Sequence, residues 1–355
     1  VSRVSSVLVV VVALFMVFAV GEVALADNNE EFEGMPVITD EDVDGEAEIL
    51  ATPISLYDDA DEHVDDYSTI QAAVDAAEDD YRVEIPSGTY FEHVVVEEIK
   101  GLHLKGIEDG DRPVLDGEDM TEYGIFVNAD DVEITNLEVR NFGDRGVYAY
   151  SDNILIDNVY SHSHGNDGIR VRDSIGVVIQ DSESSKNDGD GISFYAYGEI
   201  INTDVQDNTE RGIYHAGSAV EGQGHVTVRD SSITGNNFSS ERAGGIIIYG
   251  GPDGNNTLTA TVENNVVADN EGTGILIYKV NHERGSDEPI DSDHQSVVSG
   301  NTVSRTVEND HARRGAGDGI LVYLSHHVDV DNNTVEDNEN AGIRVTSIYA
   351  YETVY

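Results

Sequence analysis

Apolar residues in this chain recur in short alternating pairs, and each pair is followed by a polar turn. Aligned on a glycine followed by a β-branched residue, the chain shows Gly124-Ile125, Gly146-Val147, Gly168-Ile169, Gly191-Ile192 and Gly212-Ile213 at intervals of 21 to 23 residues. The register continues through Gly245-Ile246, Gly274-Ile275, Gly319-Ile320 and Gly342-Ile343, with longer intervals that read as insertions around 217–225, 250–257, 279–296 and 306–317. Each repeat carries a second apolar pair ahead of a turn residue: Val132/Ile134 with Asn136, Ile154/Ile156 with Asn158, Val177/Ile179 with Asp181, Val328/Val330 with Asn332. A unit of this length with three short strands cannot bury its own apolar face, so each must pair edge to edge with the next. The pattern therefore predicts an all-β, single-stranded right-handed parallel β-helix, a three-sheet solenoid of about eleven coils spanning 53–355. Glycine and asparagine are expected at its sharp turns, because both tolerate positive φ.

One stretch departs from this period. Ile70, Ala73, Val74 and Ala77 fall at i, i+3, i+4 and i+7, which predicts an amphipathic helix over about 68–79 that caps the end of the rod. Behind it come Ile85-Pro86-Ser87-Gly88-Thr89-Tyr90, the run Val94-Val95-Val96, and Pro113-Val114-Leu115-Asp116-Gly117. Thr69-Ile70-Gln71-Ala72-Ala73-Val74 together with Ile85-Pro86-Ser87-Gly88-Thr89-Tyr90 resembles the N-terminal cap and first coil of the pectate-lyase-like β-helix superfamily. The later coils resemble its generic repeat, NosD-like proteins included. The resemblance covers 68–355 and implies the fold; the superfamily holds lyases, hydrolases, esterases, epimerases and non-catalytic members, so it implies no single reaction.

Charge and the N-terminus set the environment. The 355 residues carry 70 acidic against 19 basic side chains, a formal net charge of −51, and only four lysines (Lys100, Lys105, Lys186, Lys279). Such self-repulsion destabilises a compact state at ordinary ionic strength and is screened in molar salt, where the Debye length falls to about 3 Å. A high-salt habitat is the expectation, and a nucleic-acid partner is not, for want of a basic stripe. Val7 to Val20 is an uncharged apolar run behind Arg3 and ahead of Ala24-Leu25-Ala26. It reads as a signal peptide over 1–26; left uncleaved it would be a membrane anchor. Residues 27–52 read as an acidic linker. There is no cysteine, so disulfides and thiolate chemistry are excluded. The chain is thus expected outside the cell or at its surface.

Motifs for particular reactions do not survive inspection. The Gly-Tyr-Gln-Asp and Asp-Phe-Ile-Phe-Gly segments of pectin methylesterases are missing. Asn202-Thr203-Asp204 matches a polygalacturonase triplet without any of its companions, and Tyr148-Ala149-Tyr150-Ser151-Asp152-Asn153 lacks the Pro and His of the uronan-epimerase segment. Asp188-Gly189-Asp190-Gly191 and Asp291-Ser292-Asp293 invite calcium but do not continue into EF-hand spacing, and His282, His294, Asp287, Asp291 and Asp293 match no zinc or copper pattern. No metal site is assigned and the cofactor is left open. Three Asn-x-Ser/Thr sequons begin at Asn237, Asn255 and Asn332.

What remains is the strand geometry. In Gly-Ile-x-Val-x the first and third residues after glycine point inward, so the second and fourth face out. Stacking builds one outward column through Phe126, Tyr148, Arg170, Ser193, Tyr214, Ile247, Leu276, Leu321 and Arg344, and a second through Asn128, Tyr150, Arg172, Tyr195, Ala216, Tyr249, Tyr278, Tyr323 and Thr346. Tyrosine faces stack on sugar rings while the phenol stays wet, and arginine forks match carboxylates. Arg170, Arg172, Tyr148, Tyr150 and His164 are the candidate catalytic residues, with Tyr195, Tyr214, Asp167, Asp190, Tyr249, Tyr278 and Tyr323 as substrate-binding ones. The bland alternative is that tyrosine suits β-structure and arginine neutralises neighbouring acids. The functional expectation is an acidic polysaccharide or surface glycan as partner, bound and cleaved or epimerised; the alternative is a non-catalytic adhesion rod or NosD-like accessory protein.

Overall fold

The computed structural model describes residues 52–107, 110–118, 122–217, 224–237, 244–250, 258–281, 295–308 and 316–346. The signal-peptide segment, nearly all of the linker, the interiors of the four expected insertions, the His282–His294 cluster and the Asn255 sequon lie outside these residues.

Three stacks of short parallel strands wind around a continuous core. Sheet I holds the Gly-Ile strands, from Val94–Glu97 and Ile125–Asn128 to Ile320–Tyr323 and Ile343–Thr346. Sheet II follows it in the chain, from Arg82–Ile85 to Val328–Asp331, and sheet III is ten-stranded, from Thr89–Tyr90 to Thr334–Glu336. Ten coils are therefore present among the described residues, in keeping with about eleven expected over 53–355. The strands Ile169–Gln180 and Ile192–Ile201 run across the corner between sheets I and II and join them. Within each coil alternate side chains enter the core. Ile125 and Val127, Ile169 and Val171, Ile192 and Phe194, and Ile275 and Ile277 are fully buried in sheet I, as are Val132, Ile134, Ile154, Ile156, Val177 and Ile179 beneath sheet II. In the last described coil the same inward positions open to solvent, Val345 being 70% exposed.

The N-terminal end is closed by a device that alternation alone did not reveal. Strand β1 (Ile54–Tyr57) pairs antiparallel both with β2 (His63–Tyr67) and with β3 (Arg82–Ile85), so an antiparallel hairpin terminates the parallel sheet II. Helix α1 spans Ile70–Ala76, shorter than the expected 68–79. Thr69 caps it by accepting from the Ala72 N–H, and the Glu92 carboxylate accepts from the Ile70 and Gln71 N–H groups. Ala77 is already extended, which ends the helix there. Ile70, Ala73 and Val74 are buried against the first coil.

The corners carry two kinds of position. Asn136, Asn158, Asp181, Asn202, Asp230, Asn264 and Asn332 adopt φ between 46° and 58° after sheet II, the left-handed conformation that asparagine and aspartate tolerate best. The residue that follows turns inward. Asn187, Asn208, Asn236 and Asn270 form a fully buried ladder after sheet III, each Nδ2 donating to the next Oδ1 at 2.9, 2.9 and 3.0 Å. Asn265, Asn301 and Asn333 form another after sheet II. The Gly-Ile glycines, expected for positive φ, are not left-handed. They are needed because a Cβ on Gly168, for example, would meet Ser184 and Asn187 and lie 2.9 Å from the Gly191 carbonyl oxygen.

Candidate functional site

Both outward columns of sheet I stack in the predicted register. Phe126 pairs with Tyr148, Tyr148 with Arg170, Arg170 with Ser193 and Ser193 with Tyr214; Arg172 pairs with Tyr195, Ala216 with Tyr249, Tyr249 with Tyr278 and Tyr278 with Tyr323. Their exposure divides the face in two. Toward the C-terminal half, Tyr214, Ile247, Tyr249, Leu276, Tyr278, Leu321 and Tyr323 form a second apolar cluster, separate from the core, with Tyr249, Tyr278 and Tyr323 only 6–8% exposed. The rings of Tyr249, Tyr278 and Tyr323 stack at 5.0 and 5.2 Å. These tyrosines, expected as solvent-facing sugar contacts, are instead packed as core-like residues on the outer face.

The more open section runs from Phe126 to Tyr195, with Ser193 buried inside it and Phe126, Tyr148, Arg170 and Tyr195 half-buried. Tyr123, Phe126 and Tyr148 cluster with ring centroids 5.1–5.8 Å apart. Tyr150 is 46% exposed, and Arg172, one rung further in the same column, is 51% exposed. Asn128, Tyr150, Ser151 and Asp173 are among the residues lining a cleft of about 450 Å³ beside it.

Along the edge of this section the residues preceding each Gly-Ile pair form a charge ladder. Asp167 accepts from Arg145 at 3.2 Å and from Arg170 at 3.1 Å. Asp190, almost fully buried, accepts a fork from Arg211 at 2.7 and 2.9 Å and the Ser193 hydroxyl at 2.8 Å. Burial pushes the Asp190 carboxyl up from its ordinary range and the Asp167 charge pushes the same way, while Arg211 opposes both. The Asp190 carboxylate is thus already occupied, which removes it from any calcium loop at 188–191. Each clamped guanidinium faces a ring: Arg170 lies 4.9 Å from the Tyr195 centroid and Arg211 lies 3.6 Å from that of Tyr214. Burial raises the Tyr195 phenol, so it stays protonated.

His164 is not beside the arginines. It occupies the inward ladder position ahead of Asn187, accepting from the Phe142 N–H through Nδ1 (3.2 Å) and donating from Nε2 to the Val139 carbonyl (3.1 Å). Burial holds its pKa down at about 3, so it is a neutral core imidazole cut off from the outer face. Arg211, Arg145 and Tyr123 escaped the sequence reading. The signal was available, since all three immediately precede a Gly-Ile or Gly-Val pair, as Asp167 and Asp190 do.

Comparison with known proteins places this architecture. The family model for a right-handed β-helix region matches residues 115–259 and 219–349, together well over half the chain. No curated protein sequence matches at a significant level. Among solved structures, pectate lyase Pel9A superposes with a TM-score of 0.51 at 16% identity, over 78% of this chain and 76% of that one. The alginate lyase from Paenibacillus sp. str. FPU-7 superposes with a TM-score of 0.55 at 13% identity, over 78% and 95%. At these identities the likeness is one of fold. With ten coils among the described residues and the match across 115–349, this chain belongs to the right-handed β-helix family.

Proposed function

We propose that the protein binds a uronate-containing polysaccharide along the outward face between Phe126 and Tyr195 and works outside the cytoplasm, in a salt-rich medium. The observation that carries this reading is the outward stack of exposed Tyr150 and Arg172 beside half-buried Tyr148, Arg170 and Tyr195, on a protein with a formal net charge of −51. Rings at strand spacing offer faces to successive sugars, and the guanidiniums offer the positive charge that a uronate carboxylate requires. The folds of a pectate lyase and an alginate lyase, enzymes named for uronate polymers, support the substrate class. The N-terminal apolar run supports export.

For chemistry, a guanidinium on the carboxylate acidifies the neighbouring C–H, and the oxygen of Tyr148 or Tyr150, as phenolate, takes that proton; in a β-elimination the C–O bond at the β carbon then breaks and the leaving oxygen takes the proton from the phenol, whereas in an epimerisation a proton returns to the opposite face. His164, buried in the ladder, takes no part. Incubation with polygalacturonate and alginate in molar salt tests the elimination directly. Growing ultraviolet absorbance from the unsaturated product, lost in the Arg170→Ala/Arg172→Ala double variant, is the expected result; turnover undiminished in that variant refutes the assignment.

The second reading is a non-catalytic rod that docks a glycan. It is favoured by the aspartates that already hold Arg170 and Arg172. Binding without product formation or epimerisation is its signature.

A further inference from the structure

The arginines of the outward face differ in how they are held, and the difference assigns them different roles. Arg145 and Arg211 are each 15% exposed and Arg170 is 22% exposed. All three spend their guanidiniums on the aspartates of the edge ladder, and each has a tyrosine ring nearby. Arg172 stands apart. Its Nε donates to Asp173 at 2.9 Å, and its terminal nitrogens have no hydrogen-bond partner among the described residues. Half of the side chain is in solvent.

We infer that Arg172 alone reads the carboxylate of the bound sugar, while Asp167 and Asp190 are positioning residues that hold Arg170 and Arg211 against Tyr195 and Tyr214. The inference rests on the polysaccharide reading above and sharpens it. The cleft beside Tyr150 carries Glu98, Asp130, Asp152 and Asp173 in its walls, and its one cation, Lys100, bonds Asp131 at 2.9 Å. Arg172 lies behind this wall rather than in it, bonded through Nε to the lining residue Asp173; a carboxylate repelled by the acidic walls is drawn to its two terminal nitrogens, which match it bidentately. The wall carboxylates instead accept hydrogen bonds from sugar hydroxyls, and the exposed ring of Tyr150 supplies a stacking face. Arg172 thus orients the sugar, with its acid group toward the sheet and its hydroxyls toward the corner.

Asp173 tunes this reading. It competes with the ligand for the Arg172 guanidinium, and its backbone is left-handed at φ 51°, a conformation asparagine also tolerates. Asp173→Asn therefore loosens the hold on Nε and removes a repelling charge, at a corner whose backbone conformation asparagine can keep.

The test is calorimetric titration of the whole chain, at one fixed salt concentration, with an oligouronate and with the same oligosaccharide after reduction of its carboxyls to alcohols. Arg172→Ala is expected to weaken the oligouronate about tenfold and leave the neutral form unchanged, with Arg172→Lys intermediate. Arg170→Ala is expected to change both ligands by the same factor, because it acts through Tyr195. Asp173→Asn is expected to strengthen the oligouronate alone, which a merely structural role would not produce. Equal effects of Arg172→Ala on the two ligands, or weaker oligouronate binding in Asp173→Asn, overturn the inference while leaving polysaccharide binding in place. Wild-type protein that binds neither ligand overturns both.

Discussion

The buried asparagine ladder is open to a quantitative test at Asn208. Its Oδ1 accepts from the Asn187 N–H at 3.1 Å and from Asn187 Nδ2 at 2.9 Å; its Nδ2 donates to the Ser184 carbonyl at 3.1 Å and to Asn236 Oδ1 at 2.9 Å. Asn208→Ala removes all four. The Asn187 N–H is left without an acceptor in a site closed to water, at about 1–3 kcal/mol, and the other three bonds cost about 0.5–1 kcal/mol each where partial substitutes remain. The expected loss is therefore about 2.5–6 kcal/mol. Because stacked repeats can open locally, urea unfolding followed by circular dichroism should be paired with hydrogen exchange at the Asn187 and Asn208 amides. Exchange is expected to accelerate there first. Asn332→Gly, at an exposed left-handed corner, is the control and should stay within about 0.5 kcal/mol of wild type. A loss below about 1 kcal/mol for Asn208→Ala, with unchanged protection, would refute the view that the ladder is held by these bonds.

Three further outcomes are expected. Gly168→Ala forces a Cβ into Ser184, Asn187 and the Gly191 carbonyl, and should cost at least about 2 kcal/mol in a thermal or urea melt; a neutral variant would show that the coils separate easily. Burial holds the His215 pKa at about 4, below the ordinary value, so the unfolded chain binds the proton first as pH falls. Its contribution to stability is complete above about pH 6.5 and declines toward pH 4 by roughly 3 kcal/mol in all; His215→Val should flatten that part of the stability-against-pH curve, and an unchanged slope would exclude His215 as its source. With a net charge of −51, the melting temperature should climb between about 0.1 and 1 M sodium chloride as the Debye length shrinks from about 10 to 3 Å; a flat profile would remove the case for a salt-rich habitat.

Register was legible because side-chain period and coil length are both encoded in the order of residues. Gly146-Val147, Gly168-Ile169 and Gly191-Ile192 align by simple spacing, and the outward columns paired as that alignment requires. Depth was not legible. Tyr249 and Tyr278 alternate with core residues just as Tyr148 does, and periodicity says which way a side chain points without saying what lies over it. The capping hairpin was hidden because Ile54–Tyr57 and His63–Tyr67 are joined by acids that read as more linker. His164 misled for a related reason: after a left-handed Ser163, with φ of 62°, the next residue turns inward, so adjacency in sequence to an exposed turn placed it on the wrong side of the wall. Asparagine stacking was legible at the turn residues, where Asn158 Nδ2 donates to Asn136 Oδ1 at 3.1 Å; the buried asparagines sit one residue beyond that visible turn signal.

Sheet I resumes its pairing after intervals of very different length: Tyr214 pairs with Ile247 and Leu276 with Leu321 just as Phe126 pairs with Tyr148. Three of the longest spacers, 217–225, 250–257 and 279–296, lie between a sheet I strand and the sheet II strand that follows it. The repeat therefore tolerates spare length at one corner without losing phase, because the next strand need only rejoin a template already laid down. That corner borders the outward tyrosines and arginines, so growth or pruning of the chain there can alter what the rod meets while its interior stays fixed.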